Sequence, residues 1–239
     1  EPYVINIPAD YSSIQQGINA ASDGDTVLVS AGTYTENIDY GGKNIVVISS
    51  HGAKQTTIIP YNTGITIVWF ANDETRTAKL IGFTLLNGGD LRGGAINIDQ
   101  DCGSDTNTYL TDLTVHNSII SQNTAGNGGD NIYSESCQDT YIFIKYSNVD
   151  MTNSYIGDGN LNIIEYSINE DPLFIDAEND DYQLLASSML INAGHPDSTD
   201  SDGSRADMDT NPYLNTYNGP TWYITESGND TTGTGATDD

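Results

Sequence analysis

The chain contains two versions of one segment, GGAINIDQDC at residues 93–102 and GGDNIYSESC at residues 128–137. Every position is offset by 35, and the two segments hold both cysteines of the 239-residue chain, Cys102 and Cys137. A fixed period in this range is typical of stacked repeats, in which each repeat packs on its neighbours. The offset predicts that the two cysteines lie one above the other. A disulfide there suits an oxidising compartment, and two free buried thiols are the alternative.

Short apolar strands separated by Gly, Asn and Asp turns fill most of the chain from Thr26 onward. β-branched residues dominate these segments, which favours strands over helices. Strands are predicted at residues 27–29, 45–48, 57–59, 65–68, 80–81, 83–86, 96–98, 113–115, 118–120, 141–144 and 161–164. No helix-period segment of useful length interrupts the series, which argues against alternating βα units. The pattern therefore predicts an all-β fold.

The spacing of the strands separates a stacked architecture from a sandwich. Residues 83–87 match residues 117–121 at an offset of 34. Four glycines precede strands at intervals of 29, 35 and 31 residues, namely Gly64, Gly93, Gly128 and Gly159. Repeats of about 30 residues with two or three short strands indicate a parallel β-helix, a solenoid of about six to eight coils. An immunoglobulin-like sandwich is the alternative fold, but it would not explain the internal similarity.

The N-terminal segment predicts a strand, a short helix and a second strand. Ser12 and Gln15 form the pattern of a capping box at the start of the helix, and Gly24 ends it. One face of this helix carries the apolar residues Ile14, Ile18 and Ala21. A short amphipathic helix at this position is expected to cap the open N-terminal end of the stack, where exposed backbone groups would otherwise invite edge-to-edge pairing.

Residues 7–27, IPADYSSIQQGINAASDGDTV, resemble the opening of bacterial right-handed parallel β-helix proteins of the pectin-lyase-like superfamily. Residues 29–38, VSAGTYTENI, continue the match. Further similar stretches are residues 82–88, 118–125, 171–174 and 202–208. The resemblance covers about residues 3–210 and implies a right-handed parallel β-helix. It implies no particular reaction, because this superfamily includes lyases, hydrolases, adhesins and structural surface modules.

Two regions are expected along the chain. Residues 1–215 are predicted to form the β-helix with its N-terminal cap and a C-terminal acidic loop, and residues 216–239 an extended strand and flexible tail. The strand of the tail is centred on Trp222, Tyr223 and Ile224. Two interpretations remain open for this strand. It could dock on the last coil of its own chain, or it could pair with a neighbouring copy as an assembly strand.

The charge of the chain restricts its partners. Seven Lys and Arg residues against 34 Asp and Glu residues give a formal net charge of −27. This field repels nucleic acid and anionic membrane surfaces, so neither is an expected partner. No run of about 18 apolar residues is present, so membrane insertion is not expected. The composition and the cysteine pair favour an extracellular or cell-surface location, with copies of the chain itself or cell-surface polysaccharide as partners.

An acidic turn near residue 200 is a candidate calcium site. Asp200, Asp202, Asp207 and Asp209 lie within ten residues around Gly203. Carboxylate oxygens around a glycine turn are the ligands and the geometry that Ca²⁺ prefers, although a serine stands where the first Asp of a calcium loop belongs. An acidic, solvated turn whose Asp side chains cap local backbone groups is the alternative.

No catalytic constellation is evident, and no catalytic residue is assigned. The lyase chemistry of the superfamily needs calcium-binding carboxylates and a basic residue near the proton that is removed. Arg92, with Asp90 and Asp99 nearby, is the best-placed candidate, and an ordinary solvated turn is the alternative. The hydrolase pattern is absent because His51 lacks a preceding glycine and no Arg-x-Lys element occurs.

Aromatic residues near the strands offer a further possibility. Trp69, Tyr133, Tyr141, Tyr146 and Tyr155 lie in or near predicted strands. Aromatic side chains aligned on one outer face would indicate a glycan-binding adhesin, whereas inward-pointing or laddered rings would be structural. The sequence favours a noncatalytic extracellular structural or cell-surface module that self-assembles through its C-terminal strand. The alternatives are a glycan-binding adhesin and, less favoured, a calcium-dependent polysaccharide lyase.

Overall fold

The structure is a computed structural model that describes residues 1–72, 74–99, 113–135, 141–152, 154–156, 161–176, 181–197, 199 and 203–208. Within these ranges the chain forms one helix, α1 at Ile14–Ala20, and twenty-one short strands.

The strands of the first half of the chain are β1 Val4–Ile7, β2 Thr26–Val29, β3 Gly32–Thr35, β4 Ile38–Asp39, β5 Val46–Ser49, β6 Thr56–Ile59, β7 Val68–Phe70, β8 Lys79–Ile81, β9 Thr84–Leu85, β10 Gly89–Asp90 and β11 Ile96–Asp99. Those of the second half are β12 Leu113–His116, β13 Ile119–Ile120, β14 Thr124–Ala125, β15 Ile132–Glu135, β16 Tyr141–Lys145, β17 Asn148–Val149, β18 Tyr155–Ile156, β19 Leu161–Glu165, β20 Phe174–Asp176 and β21 Asp181–Leu184.

Three parallel sheets organise the described part of the chain. Sheet A has the order β1-β2-β5-β8-β12-β16-β19, sheet B the order β3-β6-β9-β13-β17, and sheet C the order β4-β7-β11-β15-β18. The chain visits sheets A, B and C in turn, and we call one such visit a circuit. The short strands β10 and β14 also pair in parallel, whereas β20 and β21 form an antiparallel pair. The fold is thus predominantly β and parallel, as predicted, and it is compatible with a parallel β-helix.

The core lies between the three sheets. Every second side chain of a strand points inward. Inward residues of successive circuits stack on one another, as Val68, Ile96 and Ile132 of sheet C do. The largest aromatic pair of the core is Tyr40 and Phe70, both fully buried, whose rings stack with centroids 4.2 Å apart. The Tyr40 hydroxyl donates to the Lys79 carbonyl oxygen at 2.8 Å, so its polar atom has a partner inside the core.

Helix α1 covers the N-terminal end of this core, with Ile14 and Ile18 buried as predicted. The predicted capping box is wrong by one residue, because the N-cap is Ser13, whose hydroxyl accepts from the Gln16 N–H. Glu36 of the next circuit supplies the remaining acceptors. Its two carboxylate oxygens accept from the N–H groups of the first two helical residues at 2.9 and 3.0 Å. A distant carboxylate therefore completes the cap, which local sequence cannot reveal.

The outer edge of β1 is partly occupied by the chain itself. The carboxylate of Asp10 accepts from the backbone N–H of Asn6 at 2.7 Å, and the backbone N–H of Asp10 donates to the Asn6 carbonyl oxygen at 2.7 Å. The carbonyl oxygens of Tyr3 and Ile7 accept from the N–H groups of Thr26 in β2 and of Ser30 just after it. Because alternate residues of a strand bond to opposite sides, the backbone groups of Asn6 point away from β2. An edge strand whose outward groups are already bonded is a poor template for another strand.

Strand pairing corrects both repeat offsets by one residue. Ile96 pairs with Ile132 at an offset of 36 rather than 35, and Thr84 pairs with Ile119 at an offset of 35 rather than 34. A shift of one residue moves every side chain of a strand to the opposite face, so the correction decides which residues point outward. Cys102 and Cys137, whose stacking was predicted from the offset of 35, lie outside the described residues.

The C-terminal segment folds back over the outer face of sheet B. We call the described residues between Leu184 and Met208 the strap. Ile119 points outward from sheet B, since its neighbour Ile120 lies in the main core. Ile119 is nevertheless fully buried, because it belongs to a second apolar cluster with strap residues. Sheet B is therefore covered on its outer face, and the outer faces of sheets A and C remain as candidate binding surfaces.

Candidate functional site

One face of sheet C carries a line of side chains from four successive strands. Trp69 of β7 is the register partner of Asn97 of β11, and Asn97 is the partner of Tyr133 of β15. Tyr133 is in turn the partner of Tyr155 of β18. We call these four residues the aromatic row. Register partners of adjacent strands lie about 4.8 Å apart on the same face of a sheet, so the row spans about 14 Å from Trp69 to Tyr155.

The aromatic row points away from the core. Val68 and Phe70, which flank Trp69 in β7, are fully buried in the main core. The same alternation holds in β11 and β15, where the residues flanking the row are also fully buried. Because successive side chains of a strand point to opposite faces, the row occupies the outer face of sheet C.

The rings of the row are ordered by contacts with one another and with an arginine. The rings of Tyr133 and Tyr155 stack with centroids 4.9 Å apart and planes 17° apart. The guanidinium carbon of Arg92 lies 5.3 Å from the centroid of Tyr133, which is a cation–π distance. Tyr133 is thereby almost fully buried, whereas Tyr155 is 44% exposed and Trp69 is half-buried. Accessible ring surface thus remains at both ends of the row.

Asn97 interrupts the rings with a short polar side chain. Asn97 is only 8% exposed, and its Oδ1 atom has no hydrogen-bond partner among the described residues. The turn at Gly93 folds over it so closely that a Cβ on Gly93 would lie 3.0 Å from both Cα and Cβ of Asn97. A buried, unsatisfied amide oxygen costs free energy, and this oxygen lies beneath the Gly93 turn, away from the surface that a ligand could contact.

Aromatic rings and polar groups in a line suit the recognition of a carbohydrate. The C–H faces of a pyranose ring pack on aromatic rings, and its hydroxyl groups exchange hydrogen bonds with polar side chains. The two accessible rings, Trp69 and Tyr155, lie about 14 Å apart, so an extended chain of sugars could contact both. The arrangement offers binding along a chain of sugars rather than a deep pocket for a small molecule.

The residues that the sequence proposed for lyase chemistry lie near this row. Arg92 contacts the ring of Tyr133, as described above. Asp90 is half-buried and accepts from the backbone N–H of Leu91 at 2.5 Å. The side chain of Asp99 lies outside the described residues. The position of Arg92 is therefore explained by its contact with Tyr133 of the aromatic row and does not require a catalytic role.

Of the predicted calcium ligands, the structure describes Asp207. It is 3% exposed, and its Oδ1 accepts from the backbone N–H of Asn192 at 2.6 Å, which ties together two parts of the strap. Within the described ranges no three acidic, His or Cys side chains converge in a way that could hold a metal ion. The other predicted ligands and the assembly strand lie outside the described residues, namely Asp200, Asp202, Asp209, Trp222, Tyr223 and Ile224. The calcium prediction and the assembly prediction therefore stay predictions.

Sequence reasoning identified the three aromatic members of the row but neither Asn97 nor the contact of Arg92. The signal for Asn97 was its position between two apolar residues, which marks an outward position in a strand. Tyr146, also considered for a glycan face, lies at a turn after β16, where it stacks on Tyr166 with centroids 5.1 Å apart. It does not belong to the row. The side chain of Tyr141 lies outside the described residues.

On sheet A, the surroundings of His116 predict that the stability of the protein depends on pH. Burial lowers the pKa of the His116 ring, and the charges of Lys79, Lys145 and His195 lower it further. A folded-state pKa below the unfolded value of about 6.5 means that the folded state favours the neutral ring. This contribution to stability is present above pH 6.5 and is lost as the pH falls through the folded-state pKa.

The expected result is a lower Tm at pH 5.5 than at pH 7.5 in a chloride buffer. The difference should be smaller in the variant His116→Gln, because that side chain does not titrate. The matched control is His51→Gln, which removes a histidine that lies exposed and outside sheet A. Thermal unfolding followed by circular dichroism measures all three proteins. Equal pH dependence in wild type and His116→Gln would show that His116 does not contribute.

Comparison of the chain with protein-family models, with curated proteins and with solved structures found no match. Among the helices of the described residues, none has the length and hydrophobicity to cross a membrane. The function is therefore inferred from the geometry of the sheets and their outer faces.

Proposed function

We propose that the chain is a right-handed parallel β-helix of the pectin-lyase-like type, and that it acts as a noncatalytic extracellular module that binds polysaccharide. The cyclic order of the three sheets and the capped N-terminal end support the β-helix. A right-handed connection is the usual hand between parallel strands of one sheet. The resemblance of residues 7–38 to the opening of that superfamily supports the same assignment.

The observation that carries the function is the aromatic row on the outer face of sheet C. Trp69 and Tyr155, the two ends of the row, point outward and keep accessible ring surface, as a glycan-binding face requires. Asn97 and Tyr133 between them are almost fully buried, and the Tyr133 ring supports Tyr155 by stacking on it. These features fit an extended sugar chain, which stacks on rings.

The expected ligand is a neutral polysaccharide. The formal net charge of −27 repels uronic acid polymers at long range. Arg92 lies over the Tyr133 ring, and Asp39 is the register partner of Trp69 at the N-terminal end of the row, so these two opposite charges balance one another. A neutral glycan avoids the repulsion while using stacking and hydrogen bonding.

Self-assembly by addition of a C-terminal strand to the N-terminal edge is less well supported. The outward backbone groups of Asn6 in β1 are already bonded to Asp10. A neighbouring copy would have to break both hydrogen bonds to pair with that edge. The polysaccharide-binding function is therefore the better supported of the two.

Affinity electrophoresis through gels that contain xylan, mannan or hydroxyethyl cellulose tests the proposal. We expect at least one of these neutral polysaccharides to retard the wild-type chain. Trp69→Ala and Tyr155→Ala should each weaken binding about tenfold, because each removes a stacking surface worth on the order of 1 kcal/mol.

Tyr61→Ala is the matched control, since Tyr61 is 72% exposed and lies outside the row. It should bind as the wild type does. Circular dichroism and Tm of each variant separate loss of binding from loss of folding. If no polysaccharide of the panel retards the wild type, or if the row variants bind as strongly as Tyr61→Ala, the proposed function is wrong.

A further inference from the structure

A second face, distinct from the aromatic row, concentrates positive charge. Of the seven Lys and Arg residues in the chain, Arg76, Lys79 and Lys145 lie at the outer face of sheet A, together with His116. The strap adds His195 to this group. Such a concentration is unexpected in a chain with a formal net charge of −27.

Strand register places these groups next to one another. His116 of β12 is the register partner of Lys145 of β16. Lys79 of β8 is the partner of Thr114, two residues before His116 and therefore on the same face. Adjacent strands are about 4.8 Å apart, so the three side chains can reach a single small ligand. Each of the three is half-buried, so their stems are held by neighbours while their polar ends remain accessible.

The strap contributes the fourth group, the ring of His195, and a hydrogen bond to this ring fixes which nitrogen carries the proton. The ring of His195 packs on the ring of Tyr146, which follows Lys145, with centroids 4.6 Å apart. The backbone N–H of Asp197 donates to Nδ1 of His195 at 3.1 Å. In the neutral ring the proton therefore resides on Nε2, which becomes a donor for a ligand.

The positive charges are only partly neutralised by the protein. Glu165 pairs with Lys145, with 2.5 Å between Nζ and Oε2. In the described part of the chain Lys79 and His116 have no ion-pair partner, and Asp197 follows His195 by two residues along the strap. The local cations also repel one another, in agreement with the lowered pKa of His116. At ordinary ionic strength the Debye length is about 10 Å, so a small anion here experiences mainly this local group and not the distant carboxylates.

We infer that Lys79, His116 and Lys145, together with His195 of the strap, form a binding site for a tetrahedral oxyanion of the sulfate or phosphate type. Lysine and protonated histidine donate charge-assisted hydrogen bonds to such oxygens. The anion could be free in solution or be a sulfate ester of a saccharide, and both present the same group. Binding at the boundary between sheet A and the strap would hold the strap in place.

The test compares sodium sulfate with sodium chloride at equal ionic strength, with Tm as the measured quantity. A ligand that binds the folded state raises the Tm with its concentration. Sulfate should raise the Tm of the wild type more than chloride does, and more strongly at pH 5.5 than at pH 7.5, because a bound anion favours the protonated form of the His116 ring. The apparent Kd for sulfate should increase about tenfold in Lys79→Gln and in His116→Gln, since each loses one charged donor.

Lys43→Gln is the control for net charge. Lys43 donates to the backbone carbonyl oxygens of Ile18 and Asn19 at 2.7 Å and does not belong to the cluster. Its loss should therefore leave the sulfate effect unchanged. A comparison of dextran sulfate with dextran then distinguishes a saccharide ester from a free anion. Equal Tm values in sulfate and chloride, or an equal sulfate effect in Lys43→Gln and the two cluster variants, would overturn the inference.

Discussion

Replacing Gly94 by Ala is expected to destabilise the protein by about 3 kcal/mol or to prevent its folding. A Cβ at Gly94 would lie 2.6 Å from the carbonyl oxygen of Thr124 and would also overlap the carbonyl oxygen of Asp130. Both atoms belong to the backbone of the next circuit, which pairs with this segment and cannot move independently. The expected loss of stability therefore comes from a steric clash between neighbouring circuits. Urea unfolding measures it as a decrease in the free energy of unfolding.

Gly126→Ala is the matched control for this prediction. Like Gly94, Gly126 does not have a positive φ, but its Cβ would meet nothing closer than 3.6 Å. The substitution should change stability by less than about 1 kcal/mol, because space is present and the unfolded chain loses entropy. If Gly94→Ala does not fold, its soluble yield should be low while that of Gly126→Ala is normal. This result would also show that the circuits approach closely at Gly94. Equal stability of both variants would contradict the close approach of the circuits at Gly94.

Replacing Phe70 by Ala is expected to cost about 3–5 kcal/mol. Phe70 is fully buried and its ring stacks on Tyr40, with centroids 4.2 Å apart. Its removal leaves a cavity between successive circuits and exposes the Tyr40 ring to it. Urea unfolding measures the loss, and Phe70→Leu, which refills most of the volume, should recover more than half of it.

Tyr61→Ala provides the control for an aromatic residue on the surface outside the sheets, because Tyr61 is 72% exposed. Its effect should stay within about 0.5 kcal/mol. A loss for Phe70→Ala as small as that of Tyr61→Ala would mean that Phe70 is not in the core, and the outward assignment of its neighbour Trp69 would fail with it.

The class of fold was predictable because it depends on a pattern that repeats. Short β-branched strands and the internal similarity led to a parallel, all-β fold, and most predicted strands are observed within one or two residues. The strand predicted at residues 65–68 is instead Val68–Phe70, although Ile65 and Ile67 before it also form backbone hydrogen bonds with the next circuit. Two-residue strands such as Ile38–Asp39 were missed, because so short an element has no periodicity to detect.

The aromatic row was not predictable as a row, although its rings were noted individually. Its register steps are 28, 36 and 22 residues, from Trp69 to Asn97, from Asn97 to Tyr133 and from Tyr133 to Tyr155. A fixed period of 35 would pair Asn97 with Ile132 and so turn Tyr133 to the other face. Corner loops of unequal length change the step from circuit to circuit, and only the strand pairing reveals which side chains share a face.

The basic cluster on sheet A was hidden for a related reason. Lys79, His116 and Lys145 are 37 and 29 residues apart in sequence, and His195 returns to them through the strap. No local sequence motif links residues so far apart. His195 in particular reaches the other three only because the strap folds back on the sheets. In the same way Glu36 completes the cap of α1 from the following circuit.

Tryptophan fluorescence tests the central claim, that a sugar chain binds along the outer face of sheet C. The chain has two tryptophans, so Trp222→Phe leaves Trp69 as the single reporter. This variant is titrated with the polysaccharide that retards the wild-type chain in the gels, or with the corresponding hexasaccharide. The Trp69 emission should shift and reach saturation as the sugar covers the ring. Tyr155→Ala in the same background should require about tenfold more ligand. Saturable binding by calorimetry with an unchanged Trp69 spectrum would contradict the account, because the ligand would then lie on another face.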